Sequence, residues 1–276
     1  MLTATVLALV AAALHAGWNL LIKTADDRDL AAWGQFVFGG IALAPVFLFT
    51  GVPELRSLPF LLASAAIHVL YVRALVAAYD HGDFSLAYPL ARGGGALTAA
   101  VLGVIALGDG LGLPGWLALG VVTIGLASLI QPRAPREEVV YALLTAVLIG
   151  TYTVIDTAGA RHTGNGFAYG VALTALSGVL LSIVGLAQGR GPAFVASVRT
   201  SWRRQLVAGI FLATAYSLVL VAVRFASVGY VATLRESSVV LGAALGWLLL
   251  KEQLGGRRLV SSVVVTAGLI ALIASQ

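Results

Sequence analysis

Two arginines lie inside long apolar stretches of the chain, at positions that an internal repeat makes equivalent. Arg92 belongs to the segment Leu-Ala-Arg-Gly-Gly-Gly, and Arg235 belongs to the segment Thr-Leu-Arg-Glu-Ser-Ser. The offset that separates the two arginines also matches Asp109 with Glu252. A match of this reach indicates an internal duplication. Because guanidinium groups bind carboxylates and phosphates through paired hydrogen bonds, the duplicated arginine predicts a site for an anion.

The depth of these arginines allows two interpretations. Arg92 lies about eight residues into its stretch, or roughly 12 Å at 1.5 Å per residue, which is close to the middle of the hydrocarbon core. A charge at that depth costs at least ~2.5 kcal/mol and normally faces a cavity or a partner. The arginines either bind substrate or form internal ion pairs with Glu236 or Asp156. The symmetry of the arginines favours binding, because the repeat counterpart of Glu236 is Gly93.

Polar side chains also recur at helical spacing in the first and fourth apolar stretches. His15, Trp18 and Asn19 share one helical face, and Tyr88 lies four residues before Arg92 on another. We expect such faces to point toward the interior of a helical bundle. His15 then either donates to a substrate carboxylate or bonds a neighbouring helix.

The sixth stretch carries Tyr152 and Asp156 on one face, and Asp156 is the carboxylate of the second half best placed for proton coupling. Its position near the membrane boundary also allows water to satisfy it. The residues expected to bind substrate are Arg92, Arg235, Tyr88, His15, Trp18, Asn19, Tyr152, Glu236, Tyr71 and Tyr216. The residues expected to couple protons are Glu236 and Asp156.

Helix-disrupting residues surround Arg92. Pro89 removes a backbone donor, and the glycines at 93–95 add flexibility beside it. One prediction is a kinked or locally unwound segment, which is tolerated at membrane depth mainly where it lines protein or water. The other prediction is close packing of helices against the small residues.

The composition indicates a polytopic membrane protein. Of the 276 residues 59% are hydrophobic and 11% are charged, and the mean hydropathy is +0.97. Soluble domains carry about 25% charged residues. Because cysteine is absent, disulfides and thiolate metal sites are excluded. Loop arginines that face anionic lipid account for the formal charge of +5, so no nucleic-acid partner is expected.

Polar, glycine and proline residues divide the chain into apolar runs that each approach the ~20 residues needed to span a bilayer. The runs lie near 3–22, 31–50, 59–79, 84–107, 113–131, 138–157, 167–187, 205–223, 229–250 and 256–275. The predicted fold is all-α, with ten transmembrane helices in two five-helix repeats, 1–131 and 138–276. Because five is odd, the second repeat enters from the opposite side and is inverted, with the substrate site near the midplane.

Basic residues predict the orientation of these helices. Those in or beside the odd-numbered loops are Lys23, Arg28, Arg133, Arg136, Arg190, Arg199, Arg203, Arg204, Lys251, Arg257 and Arg258. Those beside the even-numbered loops are Arg56, Arg161 and Arg224. The excess of basic residues beside the odd-numbered loops predicts that these loops are cytoplasmic and that both termini are periplasmic. The stretch 189–205 is then the main cytoplasmic connector, on the lipid surface.

Three segments resemble those of a known family. They are His-Ala-Gly-Trp-Asn at 15–19, Tyr-Pro-Leu-Ala-Arg-Gly at 88–93 and Leu-Leu-Leu-Lys-Glu-Gln-Leu at 248–254. With the ten-helix plan and the repeat, they resemble the EamA-type branch of the drug/metabolite transporter superfamily. The resemblance implies a central cavity and alternating access but names no substrate. Many relatives are drawn with cytoplasmic termini, which the charge pattern of this chain reverses.

The catalytic and nucleotide-binding motifs that the chain lacks limit the classes of function that we expect. The chain contains no HExxH, GxSxG or paired acidic motif, so we do not expect an enzyme, a metal site or a cofactor. It contains no GxxxxGK[ST] motif, so transport is expected to run on a gradient or by facilitation. We expect a secondary transporter of a small polar or amphipathic metabolite that carries an anionic group. The alternative is a flippase for a lipid-linked phosphate carrier.

The expected partners follow from that function. They are a small-molecule substrate and the lipid bilayer, in the bacterial inner (cytoplasmic) membrane. Two fused repeats make a monomer sufficient for transport, and a dimer is compatible with the same sequence.

Overall fold

The computed structural model describes residues 1–81, 84–128, 135–241 and 256–274 of the chain. Within those ranges 89% of the residues are helical and none forms a strand. The helices are α1 (Leu2–Lys23), α2 (Arg28–Leu43), the single turn α3 (Phe47–Thr50), α4 (Leu58–His81), α5 (Phe84–Leu107), α6 (Leu113–Ala127), α7 (Arg136–Thr163), α8 (Gly166–Ala187), α9 (Gly191–Ala222), α10 (Val228–Arg235) and α11 (Gly256–Ala274). The all-α prediction is therefore confirmed for the described residues.

Seven helical segments of the described chain are long and apolar enough to cross a membrane. They are Leu2–Ile22, Arg28–Thr50, Leu55–His81, Leu90–Leu107, Arg136–Thr163, Gly166–Ala187 and Gly191–Ala222. The predicted fifth, ninth and tenth spans are not among them. Helix α6 offers only the shorter apolar stretch Leu113–Gly125, and the predicted ninth span runs beyond the described residues. The count of ten spans stays a prediction.

The start of α9 differs from the sequence prediction. The predicted eighth span, 205–223, is the second part of a longer helix, because α9 already begins at Gly191. The cytoplasmic connector over 189–205 stays a prediction. A proline in the first turn suits a helix start, since the N–H that it lacks would have no partner inside the helix. The ring of Phe194 stacks on that of Trp33, with centroids 4.1 Å apart. This contact holds the first turns of α9 against α2.

Glycines allow α2 and α9 to cross in backbone contact. A Cβ atom on Gly39 would lie 2.5 Å from the carbonyl oxygen of Gly209, and one on Gly209 would lie 2.4 Å from the backbone nitrogen of Gly39. Helix α8 meets α2 beside the same crossing, where a Cβ atom on Gly40 would lie 2.6 Å from Cα of Ala175. Close approach through small residues is the usual way in which membrane helices pack.

Helix α5 runs without interruption past Pro89 and the glycines that follow it. A Cβ atom on Gly94 would lie 2.8 Å from Ala146, and one on Gly95 would lie 2.7 Å from Ile149, both on α7. The glycines therefore serve close packing of α5 against α7, and the predicted unwound segment in this helix is wrong.

A break in helical structure lies instead in the second half, beside Arg235. Helix α10 ends at Arg235, Glu236 is a turn residue, and residues 237–241 are again helical. The hydroxyl of Ser237 donates to the carbonyl oxygen of Leu234 at 2.8 Å and so satisfies a group at the helix end. The carbonyl end of a helix favours a cation, and Arg235 occupies the last turn.

Candidate substrate cavity

A small cavity lies among the helices, with a volume of ≈ 40 Å³. Its lining is drawn from α1, α2, α4, α7, α8, α9 and α10. The lining residues are Ala11, His15, Trp18, Phe36, His68, Tyr71, Tyr152, Leu173, Thr174, Leu212, Ala215, Tyr216, Val219 and Arg235. A water molecule needs roughly 10–15 Å³ of such space, so the cavity has room for a few waters.

Aromatic rings form one wall of this cavity. The rings of His68 and Tyr152 lie 4.1 Å apart between centroids. Tyr152 also meets Tyr71 at 5.5 Å and Tyr216 at 5.9 Å, both in edge-to-face geometry. On α1, the rings of His15 and Trp18 lie edge to face at 4.7 Å. Such arrangements turn ring edges and ring faces toward the cavity. Because ring edges are partly positive and ring faces partly negative, the wall can contact both apolar and charged groups.

Arg235 brings a positive charge to this wall. Its guanidinium carbon lies 5.7 Å from the ring centroid of Tyr216, within the range of a cation–π interaction. The same guanidinium reaches the hydroxyl of Tyr152. No carboxylate of a described residue forms a salt bridge with Arg235. Its charge is therefore available to an anion in the cavity.

Arg92 occupies a different environment from Arg235. Its Nη2 donates to Oε1 of Glu236 at 2.9 Å, and the two side chains are only 6% and 2% exposed. Neither residue belongs to the cavity lining. The sequence left a binding role and an ion pair open for both arginines. The structure forms the ion pair at Arg92, across 144 residues of sequence, and leaves Arg235 facing the cavity.

Asp156 lies behind the aromatic wall and is fully buried. One carboxylate oxygen accepts a hydrogen bond from the hydroxyl of Tyr169 at 3.1 Å, and the other accepts one from Tyr216 at 2.5 Å. The hydroxyl of Ser64 also faces it. Asp156 is therefore held by hydroxyl groups from three other helices. Its burial differs from the water-exposed boundary position that the sequence allowed.

The structure brings together six of the ten residues expected to bind substrate. The six that line the cavity are His15, Trp18, Tyr71, Tyr152, Tyr216 and Arg235. Asn19 does not line it, because its amide donates to the carbonyl oxygen of His15 at 2.8 Å. The side chain of Tyr88 lies outside the described part of the chain. Arg92 and Glu236 form the ion pair.

The other eight lining residues were not among those expected to bind substrate, and Phe36 and Thr174 are two of them. Phe36 extends the cavity to α2, and Thr174 extends it to α8. Nothing distinguishes Phe36 from the other phenylalanines of the chain, so no sequence signal could have identified it. Thr174 is one of several hydroxyl residues on a mainly apolar helix, which is a weak signal. In the described ranges no group of three His, Asp or Glu side chains could hold a metal ion.

Five residues at one end of the bundle form a hydrogen-bonded cluster that we call the junction. Arg161, near the end of α7, donates to both carboxylate oxygens of Asp109 at 2.6 and 3.0 Å. It also donates to the carbonyl oxygens of Val223 at 2.9 Å and Ala226 at 3.2 Å. Asp109 in turn accepts from the backbone N–H of Val228 at 2.7 Å. The junction joins the α5–α6 and α9–α10 connectors to α7.

Comparison with known proteins places this arrangement in a family. The sequence model described as the EamA-like transporter family matches residues 137–274. No curated protein matches the chain. A solved structure described as "Crystal structure of protein" aligns with a TM-score of 0.79 and 17% identity, over 99% of this chain and 96% of that one. That likeness shows the fold alone. The chain belongs to the EamA-like transporter family, and it is a multi-pass membrane protein of the drug/metabolite transporter type.

Proposed function

We propose that the protein is a secondary transporter of a small polar or amphipathic metabolite that carries an anionic group. The observation that carries this proposal is Arg235, an arginine without a carboxylate partner among the described residues, which lines a cavity deep in the bundle. A buried charge of this kind normally faces a ligand or an ion pathway. Arg235 binds the anionic group, and Tyr152 and Tyr216 hold the guanidinium in position.

The proposed architecture is ten transmembrane helices in two inverted repeats, 1–131 and 138–276. The family model supports the division, because its match over 137–274 almost coincides with the second repeat. The ion pair of Arg92 and Glu236 would then join the two repeats near the centre of the bundle. Inverted repeats commonly place the substrate site at their interface, near the midplane.

Alternating access is the proposed mechanism. The cavity of ≈ 40 Å³ is too small for a metabolite the size of an amino acid or a nucleoside, so such a substrate enters only when one end of the bundle opens. The junction around Asp109 and Arg161 keeps the even-loop end closed, because it ties three segments together through charge-assisted hydrogen bonds. Release of the junction would expose the cavity to that side.

Proton coupling is proposed for Asp156, with Glu236 as the second candidate. Asp156 has hydroxyl partners only, so it can gain a proton without breaking an ion pair. Glu236 already neutralises Arg92. The membrane is proposed to be the bacterial inner membrane, with both termini in the periplasm.

The test is uptake by purified protein in proteoliposomes that are offered amino acids, organic acids, phosphonates and nucleosides. We expect saturable uptake of at least one anionic solute and loss of that uptake in Arg235→Gln. The matched control is Arg56→Gln, because Arg56 is an exposed loop arginine. Absence of uptake for every solute, together with flipping of a lipid-linked phosphate, would instead support the flippase.

A further inference from the structure

The charge distribution around the cavity restricts what the substrate can carry. Among the described lining residues Arg235 is the one with a permanent charge, and it is positive. The two nearby carboxylates are both turned to other partners. Glu236 accepts from Arg92 at 2.9 Å, and Asp156 accepts from two tyrosine hydroxyls. The lining therefore offers a counter-charge for an anion and no counter-charge for an ammonium group.

The aromatic wall does not supply the missing partner for a cation. An ammonium ion can bind over the face of a tyrosine or tryptophan ring. The face of Tyr216, however, already carries the guanidinium of Arg235. A second cation close to that guanidinium would be repelled, and repulsion is strong where water is excluded. For a zwitterion, the repulsion of its ammonium group would therefore cancel part of the binding free energy that its carboxylate gains.

The same wall suits a flat, unsaturated body. Trp18 on α1, Phe36 on α2 and Tyr71 on α4 enclose the cavity together with Tyr152 and Tyr216. These rings come from five different helices, so a planar ligand can meet edges and faces at once. Aromatic pairs in such geometry contribute about 0.5–1.5 kcal/mol beyond simple burial, which corresponds to roughly a two- to tenfold gain in affinity.

We propose that the substrate is an aromatic monocarboxylate that lacks an ammonium group. This inference rests on the proposed transport function and narrows it. The carboxylate binds Arg235 and the hydroxyl of Tyr152, and the aromatic ring lies among Trp18, Phe36 and Tyr71. The cavity of ≈ 40 Å³ has no room for an aromatic ring, so the ligand enters a wider state and is then enclosed.

Four compounds of matched size test the proposal in binding to the purified protein and in proteoliposome counterflow. They are 3-phenylpropanoate, phenylalanine, 2-phenylethylamine and 3-cyclohexylpropanoate. The first has the ring and the carboxylate, the second adds the ammonium group, the third removes the carboxylate, and the fourth removes the aromaticity. We expect 3-phenylpropanoate to bind at least roughly tenfold more tightly than phenylalanine and severalfold more tightly than 3-cyclohexylpropanoate. We expect no measurable binding of 2-phenylethylamine.

Variants at two positions connect those affinities to the residues that carry the argument. Arg235→Gln should abolish binding of 3-phenylpropanoate, while Arg235→Lys keeps the charge and should restore part of it. Phe36→Leu removes a ring but keeps an apolar side chain, so it should erase the preference over 3-cyclohexylpropanoate without affecting the preference over phenylalanine. This second variant keeps the test decisive if an arginine variant fails to fold.

The outcomes separate this inference from the transport function. Binding of phenylalanine that equals or exceeds that of 3-phenylpropanoate would overturn the exclusion of an ammonium group. Tighter binding of 3-cyclohexylpropanoate would overturn the aromatic assignment. Saturable uptake of a non-aromatic anion in place of 3-phenylpropanoate would overturn this inference but would still support the proposed transport function. Failure of the protein to transport any anion would remove both.

Discussion

The hydroxyl of Tyr216 donates to Oδ2 of Asp156 at 2.5 Å, and the ring of the same tyrosine lies beneath the guanidinium of Arg235. One side chain thus connects the buried carboxylate with the cation of the cavity. Protonation of Asp156 removes the negative charge to which this hydroxyl donates, and so weakens the hydrogen bond. In the proposed coupling, the weakened hydrogen bond would let the tyrosine shift and so change the surface on which Arg235 rests.

Replacement of Asp156 by Asn should uncouple transport from the proton gradient. The amide cannot exchange a proton, but it keeps the shape of the side chain. Its oxygen can accept from one of the two tyrosine hydroxyls, and its NH2 group can donate to the oxygen of the other. We expect substrate binding at constant pH to change by less than roughly threefold, which is under about 0.7 kcal/mol. Uptake into proteoliposomes should no longer respond to an imposed pH gradient.

Glu236→Gln is the comparison for that experiment, since Glu236 is the other coupling candidate. Its carboxylate is paired with Arg92, so its loss should reduce stability before it affects coupling. A response to the gradient that disappears in Glu236→Gln and persists in Asp156→Asn would reverse the assignment. A wild-type protein that ignores the gradient would identify facilitated transport and remove proton coupling altogether.

The two arginines should respond differently to truncation. Arg92→Ala leaves the carboxylate of Glu236 buried without its cation, and breaking such a pair from one side costs about 3–5 kcal/mol. Arg235→Ala removes a guanidinium that faces the cavity and strands no carboxylate. We expect a large fall in the thermal unfolding temperature of Arg92→Ala in detergent, and loss of substrate binding with a smaller fall for Arg235→Ala.

A double variant separates the ion pair from other roles of Arg92. Arg92→Met combined with Glu236→Leu removes both charges and keeps apolar volume, so it should recover most of the lost stability. Equal destabilisation by Arg92→Ala and Arg235→Ala would contradict the difference in environment. Full substrate binding by Arg235→Ala would contradict the proposed anion site.

The sequence predicted the chemistry of the cavity better than its geometry. Helical spacing and depth were sufficient to place Arg235, Tyr152 and His15 inside the bundle, because an apolar helix turns its polar face inward. Whether Arg92 met an anion or Glu236 depended on contacts between segments 144 residues apart, which no local pattern encodes. The repeat suggested equal roles for the arginines, but only the second is followed by a break in its helix.

The limits of local signals are also visible in the helix boundaries. Pro89 and its neighbouring glycines are strong signals for a break, yet α5 continues through them because α7 packs closely against the small residues. The start of α9 was missed for a similar reason. Its first turns are too polar to count as part of an apolar span, and the contact of Phe194 with Trp33 shows that they pack on the bundle.

The loop charges predict that both termini are periplasmic. A C-terminal fusion to alkaline phosphatase should therefore be active, since that enzyme folds only outside the cytoplasm, and a fusion to green fluorescent protein should be dark. A fusion truncated after α1, at the predicted cytoplasmic loop, serves as the internal control and should give the opposite result. The reverse pattern at the C-terminus would establish cytoplasmic termini, the arrangement drawn for many relatives.

Release of the junction should open the cavity at the end of the bundle where the even-numbered loops lie. The chain has no cysteine, so a single A215C substitution in the cavity lining gives a clean target for a membrane-impermeant maleimide. Asp109→Asn removes the charge that holds Arg161 and weakens the acceptor of the Val228 N–H. We expect labelling of A215C from that side to become severalfold faster. The matched control is Glu54→Gln, which removes an exposed ion pair with Arg56 in a loop at the same end. Equal labelling rates in the two variants would show that the junction stabilises the helices without gating the cavity.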